Sequence, residues 1–189
     1  MDGFPIDTLI LVIPVAIFAL IYFVMCNRKP RNSSLGNGNQ DLQMSRSPIV
    51  TITANDILLD ENMKINEGTR NALKLLAQRA TLFIFVVVKD QKEADSLLEP
   101  IATEFKDITD RENILYCQTP EGRASMARQL RAVSHIDYDV EVIHLIANFF
   151  PGVLIAPPEV ESQYARWRAT SFQEFMTNGD TSFLTQFPH

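Results

Sequence analysis

Cys117 and Arg123 stand six positions apart, a Cys-x5-Arg spacing. An apolar run, Ile114-Leu115-Tyr116, leads into the thiol, and a helical pattern begins near Gly122. On a strand–loop–helix, that spacing is where cysteine-dependent phosphatases keep a thiolate nucleophile and the arginine that grips the phosphate. Such chemistry needs a lowered thiol pKa, backbone N–H groups wrapped around an anion, and a fixed guanidinium. Three residues oppose it. Glu121 places a carboxylate inside the loop, Pro120 removes an N–H donor, and only Gly122 lacks a side chain that would hinder close backbone approach. A lone cysteine at a strand end more often serves as a small buried hydrophobe.

Other catalytic patterns are weaker. The first apolar run ends in Thr53-Ala54-Asn55-Asp56, without the Asp-x-Asp pair that phosphoaspartate hydrolases use as nucleophile and acid. Asp56 and Asp60 read as loop and turn carboxylates. No G-x-G-x-x-G or Walker loop occurs, and the chain has only seven glycines to build one. His135, His144, His189 and one domain thiol offer no zinc spacing. His135 and Asp137, two apart on a strand, share a face, where a structural hydrogen bond is the natural role. Arg123, Arg128 and Arg131 share a helical region with Gln129, and both a solvated face and a basic contact patch fit them.

The elements that position these residues alternate. Residues 49–53 read as a strand, 66–80 as a helix, and 81–88 as a strand apolar on both faces, as in a covered parallel sheet. Asp90 is placed to cap a helix with Ala94, Leu97, Leu98, Ile101 and Phe105 on one stripe. A third strand spans 113–117, and Thr119-Pro120 supplies the cap and first-turn proline of the next helix. A further short strand carrying His135 and Asp137, a helix over 140–150, a last strand over 153–156 and a C-terminal helix around Trp167, Phe172 and Phe175 complete the pattern. The order predicts a three-layer, Rossmann-like α/β domain with a mostly parallel sheet.

Composition divides the chain. Residues 8–26 carry no charge, and at about 1.5 Å per residue a helix of that length just crosses a hydrocarbon core of roughly 30 Å. Pro14 is tolerated in such a span. Arg28, Lys29 and Arg31 follow it and no Lys or Arg precedes it, which predicts a retained single-pass anchor with the C-terminal side in the cytosol. Residues 1–7 then form a short lumenal or matrix tail, and the polar stretch 27–47 a flexible tether with an r.m.s. reach of about 25 Å. Residues 48–189 form one domain. The whole chain has 17 Lys and Arg against 23 Asp and Glu, and residues 1–47 hold four and three of these, leaving 13 against 20. An acidic domain argues against nucleic acid. Cys117 is its one cysteine, which suits a reducing compartment.

The block Leu115-Tyr116-Cys117, Thr119, Gly122-Arg123, Arg128-Gln129-Leu130 and His135-Ile136-Asp137 resembles the peroxin-22 family, with a weaker echo at residues 170–175. The resemblance covers about 25 residues closely, plus the layout of anchor, tether and α/β domain. It implies a peroxisomal (or glycosomal) membrane protein that holds and stimulates the peroxisomal ubiquitin-conjugating enzyme, supporting ubiquitination and recycling of the matrix-protein import receptor. It implies no catalysis, cofactor or small-molecule substrate. Arg128, Arg131 and Tyr138 are the candidate partner contacts, because arginines and aromatics dominate interface energetics. A membrane-anchored phosphatase using Cys117 and Arg123, and a generic organelle-surface scaffold, are the alternatives.

Overall fold

The structure, a computed structural model, describes residues 47–178. These fall within one compact unit, residues 45–189. Among the described residues no helix is long and apolar enough to cross a membrane. The expected tail, anchor and nearly all of the tether lie outside them.

Strands β1 (Ile49–Thr53), β2 (Thr81–Val87), β3 (Ile114–Cys117), β4 (Ser134–Asp137), β5 (Gly152–Ile155) and β6 (Ala165–Ala169) form one sheet in the order β3-β2-β1-β4-β5-β6. Every neighbouring pair is parallel. The helices are α1 (Glu67–Ala77), α2 (Gln91–Phe105), α3 (Pro120–Gln129), α4 (Val140–Ile146) and α5 (Phe172–Thr177). Each starts on a side-chain cap. Asn66, Asp90, Thr119, Asp139 and Ser171 accept the N–H of Thr69, Glu93, Gly122, Glu141 and Glu174.

Two apolar layers sandwich the sheet. Leu73 and Leu76 of α1, Ile101 and Phe105 of α2, and Phe172 and Phe175 of α5 pack on Val50, Ile52, Ile84, Val86 and Ile136. On the other face Ala124 and Ala127 of α3 and Val142, Ile143 and Ile146 of α4 pack on Phe85 and Leu154. Gly152 lets α4 come this close, because a Cβ there would stand 2.7 Å from Ile143 Cδ1.

The parallel sheet is as expected. The structure departs from expectation in two places. The helix expected over 140–150 ends at Ile146, and a tight turn with Phe149 N donating to Ile146 O leads out of it. The Trp167 region is not helical. It is the edge strand β6, with Ala165, Trp167 and Ala169 half-buried and Arg166 and Arg168 exposed between them. Such alternation is a strand period, and only α5 beyond it follows the helical expectation.

Candidate functional site

In an open parallel sheet, ligands bind at the carboxyl ends of the strands where the strand order reverses. Here that point lies between β1 and β4, because β1 is followed in sequence by β2 on one side and pairs with β4 on the other. Thr53 closes β1 and Asp137 closes β4, both fully buried.

A continuous polar network fills this crevice. The Thr53 hydroxyl donates to Asp137 Oδ2 at 2.7 Å. His135 Nε2 lies 2.9 Å from the same oxygen, and Thr51 Oγ1 stands 2.8 Å from His135 Nδ1. The tilted ring of Phe85, 5.5 Å away, packs against the imidazole. Asp137 Oδ1 accepts the backbone N–H of Asp139 at 2.9 Å, which sets the turn into α4.

Arg123 enters from the first turn of α3 and is almost wholly buried. Its Nη2 donates to Asp139 Oδ2 at 2.6 Å. Its Nε lies 3.2 Å from Asp137 Oδ2, within ion-pair range but out of line for a hydrogen bond, so that contact is one of charge. The guanidinium also lies 5.6 Å from the centre of the Tyr138 ring. Burial alone would push the Asp137 carboxyl up. The bond and charge of His135, the charge of Arg123 and the Thr53 hydroxyl outweigh it and hold the carboxyl below its usual range.

The thiol is not a nucleophile in waiting. Burial pushes Cys117 up to about 11, against a smaller lowering by Arg123 and a raising by Asp137. Its Sγ faces Val86 O at 3.7 Å, inside the apolar layer under α3. The guanidinium expected to grip a phosphate beside this thiol is instead held by two carboxylates, so the phosphatase arrangement expected from the spacing is not formed. Gly122, the small residue of that loop, donates its N–H to the Thr119 cap.

Phosphoaspartate chemistry meets the same obstacle. The two strand-end positions with Asp-x-Asp spacing are Thr53 and Asn55. Asn55 bridges to β2, its Oδ1 accepting Val87 N at 2.7 Å and its Nδ2 donating to Val87 O at 3.1 Å. A divalent cation, which would stabilise the charge of phosphoryl transfer, does not fit. The positive charge between Asp137 and Asp139 is already supplied by Arg123.

The remaining family-like residues are structural in placement. Ile136 is fully buried against the α1/α2 layer, Leu130 packs half-buried behind α3, and Gln129 is exposed. The candidate contact residues separate. Arg128 and Arg131 lie at the end of α3, by the amino edge of the sheet, while Tyr138 follows β4 at the carboxyl edge. Spacing brought out Cys117 and Arg123 and missed Thr51, Thr53 and Asp139. Alternation of threonines along β1 was the available signal, since a polar residue at every second position of a covered strand requires a partner.

Fold and network together define a parallel α/β domain in which the ligand crevice is packed with the chain's own side chains. A putative haloacid dehalogenase-like hydrolase from Burkholderia xenovorans LB400 is similar at TM-score 0.55 and 10% identity, covering 74% of this chain and 99% of its own. A haloacid dehalogenase-like family hydrolase from Xanthomonas campestris gives a TM-score of 0.47 at 14% identity, over 65% of this chain and 56% of that one. A comparison with curated proteins returns no match. Residues 46–176 match the family described as Peroxisome biogenesis protein 22, Haloacid dehydrogenase-like domain, and the chain belongs to that family.

Proposed function

We propose that the chain is a membrane-tethered adaptor that holds the peroxisomal ubiquitin-conjugating enzyme at the membrane and stimulates it, without catalysis of its own. Family membership across residues 46–176 carries the reading and implies a role in peroxisome biogenesis. The filled crevice supports the non-catalytic part. Thr53 and Asn55 replace the acids a hydrolase would need, and the charges of Arg123 and His135 are held against Asp137.

Residues 8–26 serve as the anchor, 27–47 as the tether and 48–189 as the partner-binding domain, facing the cytosol. Confinement within a tether's reach gives an effective concentration on the order of millimolar, which raises transfer to nearby substrates without a new catalytic group. Stimulation beyond that requires the adaptor to favour an active conformation of the enzyme.

The test uses the full chain in detergent micelles and the purified ubiquitin-conjugating enzyme of the same organism. Calorimetry should show a one-to-one complex at micromolar or lower Kd, and ubiquitin discharge from the enzyme should accelerate. An interface of about 1,200–2,000 Å² is the size such a complex needs. No heat of binding and no change in discharge would remove the adaptor reading.

A further inference from the structure

The domain carries its charges unevenly. Along the carboxyl edge a carboxylate follows each of the first four strands, in Asp56, Asp90, Glu121 and Asp139. At the amino edge, on the α3/α4 side, the sign reverses. Three segments meet there, residues 128–133, 144–151 and 163–166, and none contains an Asp or Glu although the domain is acidic. They present Arg128, Arg131 and Arg166, all exposed, with the exposed apolar groups Leu145, Phe149 and Tyr164 among them. Phe149 is 52% exposed and shares an open groove with the exposed Tyr164, and clustered exposed apolar groups mark interaction sites. The Arg128 guanidinium stacks 3.7 Å above it, and Tyr164 stacks on His144 at 4.2 Å. Phe149, Tyr164 and Arg166 also border one open groove.

A second observation concerns where the chain enters the domain. Residues 47 and 48 lead directly into β1 at this same edge. Pro48 O accepts Thr81 N at 2.8 Å, and Ile49 O accepts Val133 N at 2.8 Å. Ser134 beside it donates its hydroxyl to Pro151 O at 3.1 Å, and Gly152 is in register with Ala165, next to Tyr164. The entry point is therefore contiguous with the basic, aromatic surface.

We propose that this amino-edge surface lies on an anionic membrane, with the three arginines at lipid headgroup phosphates and Phe149, Tyr164 and Leu145 entering the interface. The proposal rests on the membrane-anchored reading of residues 8–26. Arginines attract anionic headgroups and aromatic rings favour the membrane–water interface, so the chemistry matches on both counts. The carboxyl edge then points away from the lipid, which leaves it for protein partners. Each arginine near such a surface contributes a factor of about five in local binding, and the tether removes most of the cost of encounter.

The experiment reconstitutes the full chain into vesicles of phosphatidylcholine alone, or with about a third phosphatidylserine, and follows amide exchange. Residues 128–133, 144–151 and 163–166 should exchange at least about fivefold more slowly on the anionic vesicles, and the difference should vanish at high salt. It should also vanish in R128E/R131E/R166E and shrink in the milder Phe149→Ser, with β1 and β2 amides unchanged as the check that the fold persists. Equal exchange on both lipids overturns the proposal. So does slowing that appears only when a protein partner is added, since the surface would then be a protein-docking face. The anchor is read separately by flotation on neutral vesicles at high salt. If that fails, low-salt flotation on anionic vesicles still decides, because wild type and R128E/R131E/R166E floating alike also overturns the proposal.

Discussion

At the scale of single residues, the buried ion network sets the chemistry and the stability. Asp137→Asn leaves Arg123 with one carboxylate in a buried site, and breaking such a pair costs about 3–5 kcal/mol. The folded Asp137 carboxyl titrates below its usual range, so its stabilisation is fully present above about pH 4 and is lost as pH falls through the folded value. The stability gap between wild type and Asp137→Asn, measured by urea unfolding, should therefore be widest near neutrality and close in acid. Cys117 runs the other way. Its thiol is raised to about 11, so ionisation favours the unfolded chain once pH exceeds about 8.5. Cys117→Ser should remove that alkaline loss, cost at most about 1–2 kcal/mol at neutral pH and leave partner binding intact. Arg131 adopts φ 56° just after α3, where Ala132 N donates to Ala127 O and Arg131 N to Arg128 O, a helix stop that favours glycine. Arg131→Gly should raise stability by up to about 1 kcal/mol in thermal melts. The sequence exposed Cys117, Arg123, His135 and Asp137 as chemistry-bearing residues. It read Cys117 as a buried hydrophobe and His135 with Asp137 as a structural hydrogen bond, and both hold. It could not show that Arg123 turns inward, because burial of an arginine depends on carboxylates that only the fold brings to it.

At the scale of elements, most of the α/β order was legible. Capping residues marked the helix starts at Asp90 and Thr119, and an unbroken apolar run marked β2. β6 was not legible, because five residues holding two arginines and small alanines carry little hydrophobic signal. Its strand character comes from pairing with β5, a tertiary effect. Phe172 and Phe175 marked α5 as a helix docking on the sheet, but its tie to α1 was hidden. Gln173 Nε2 donates to Asn66 Oδ1 at 2.7 Å and lies 3.1 Å from Thr69 Oγ1, tying α5 to the first turn of α1. Gly68 makes room for it, since a Cβ there would meet Gln173 Nε2 at 2.5 Å. Gly68→Ala should therefore loosen α5, seen as faster amide exchange over residues 172–177, while the helix propensity of α1 rises. Phe172→Ala, which empties a fully buried site, should cost about 3–5 kcal/mol in the same assay series.

At the scale of the whole molecule, the proposed topology rests on the charge flanking the apolar stretch 8–26. On intact organelles, added protease should digest residues 48–189, and the chain should resist alkaline carbonate extraction. A protected domain would reverse the orientation inferred from Arg28, Lys29 and Arg31. The point of entry has one more consequence. The chain reaches the domain through β1, which is hydrogen-bonded to β2 on one side and β4 on the other. A pull applied through residue 47 runs along the axis of that strand, so both ladders bear the tension together and must shear at once. An edge strand such as β6 would peel open one bond at a time. When force is drawn through the chain's N-terminal side, the domain resists with its most deeply held strand, and unfolding it from that end should need more force than stripping α5 and β6 from the other.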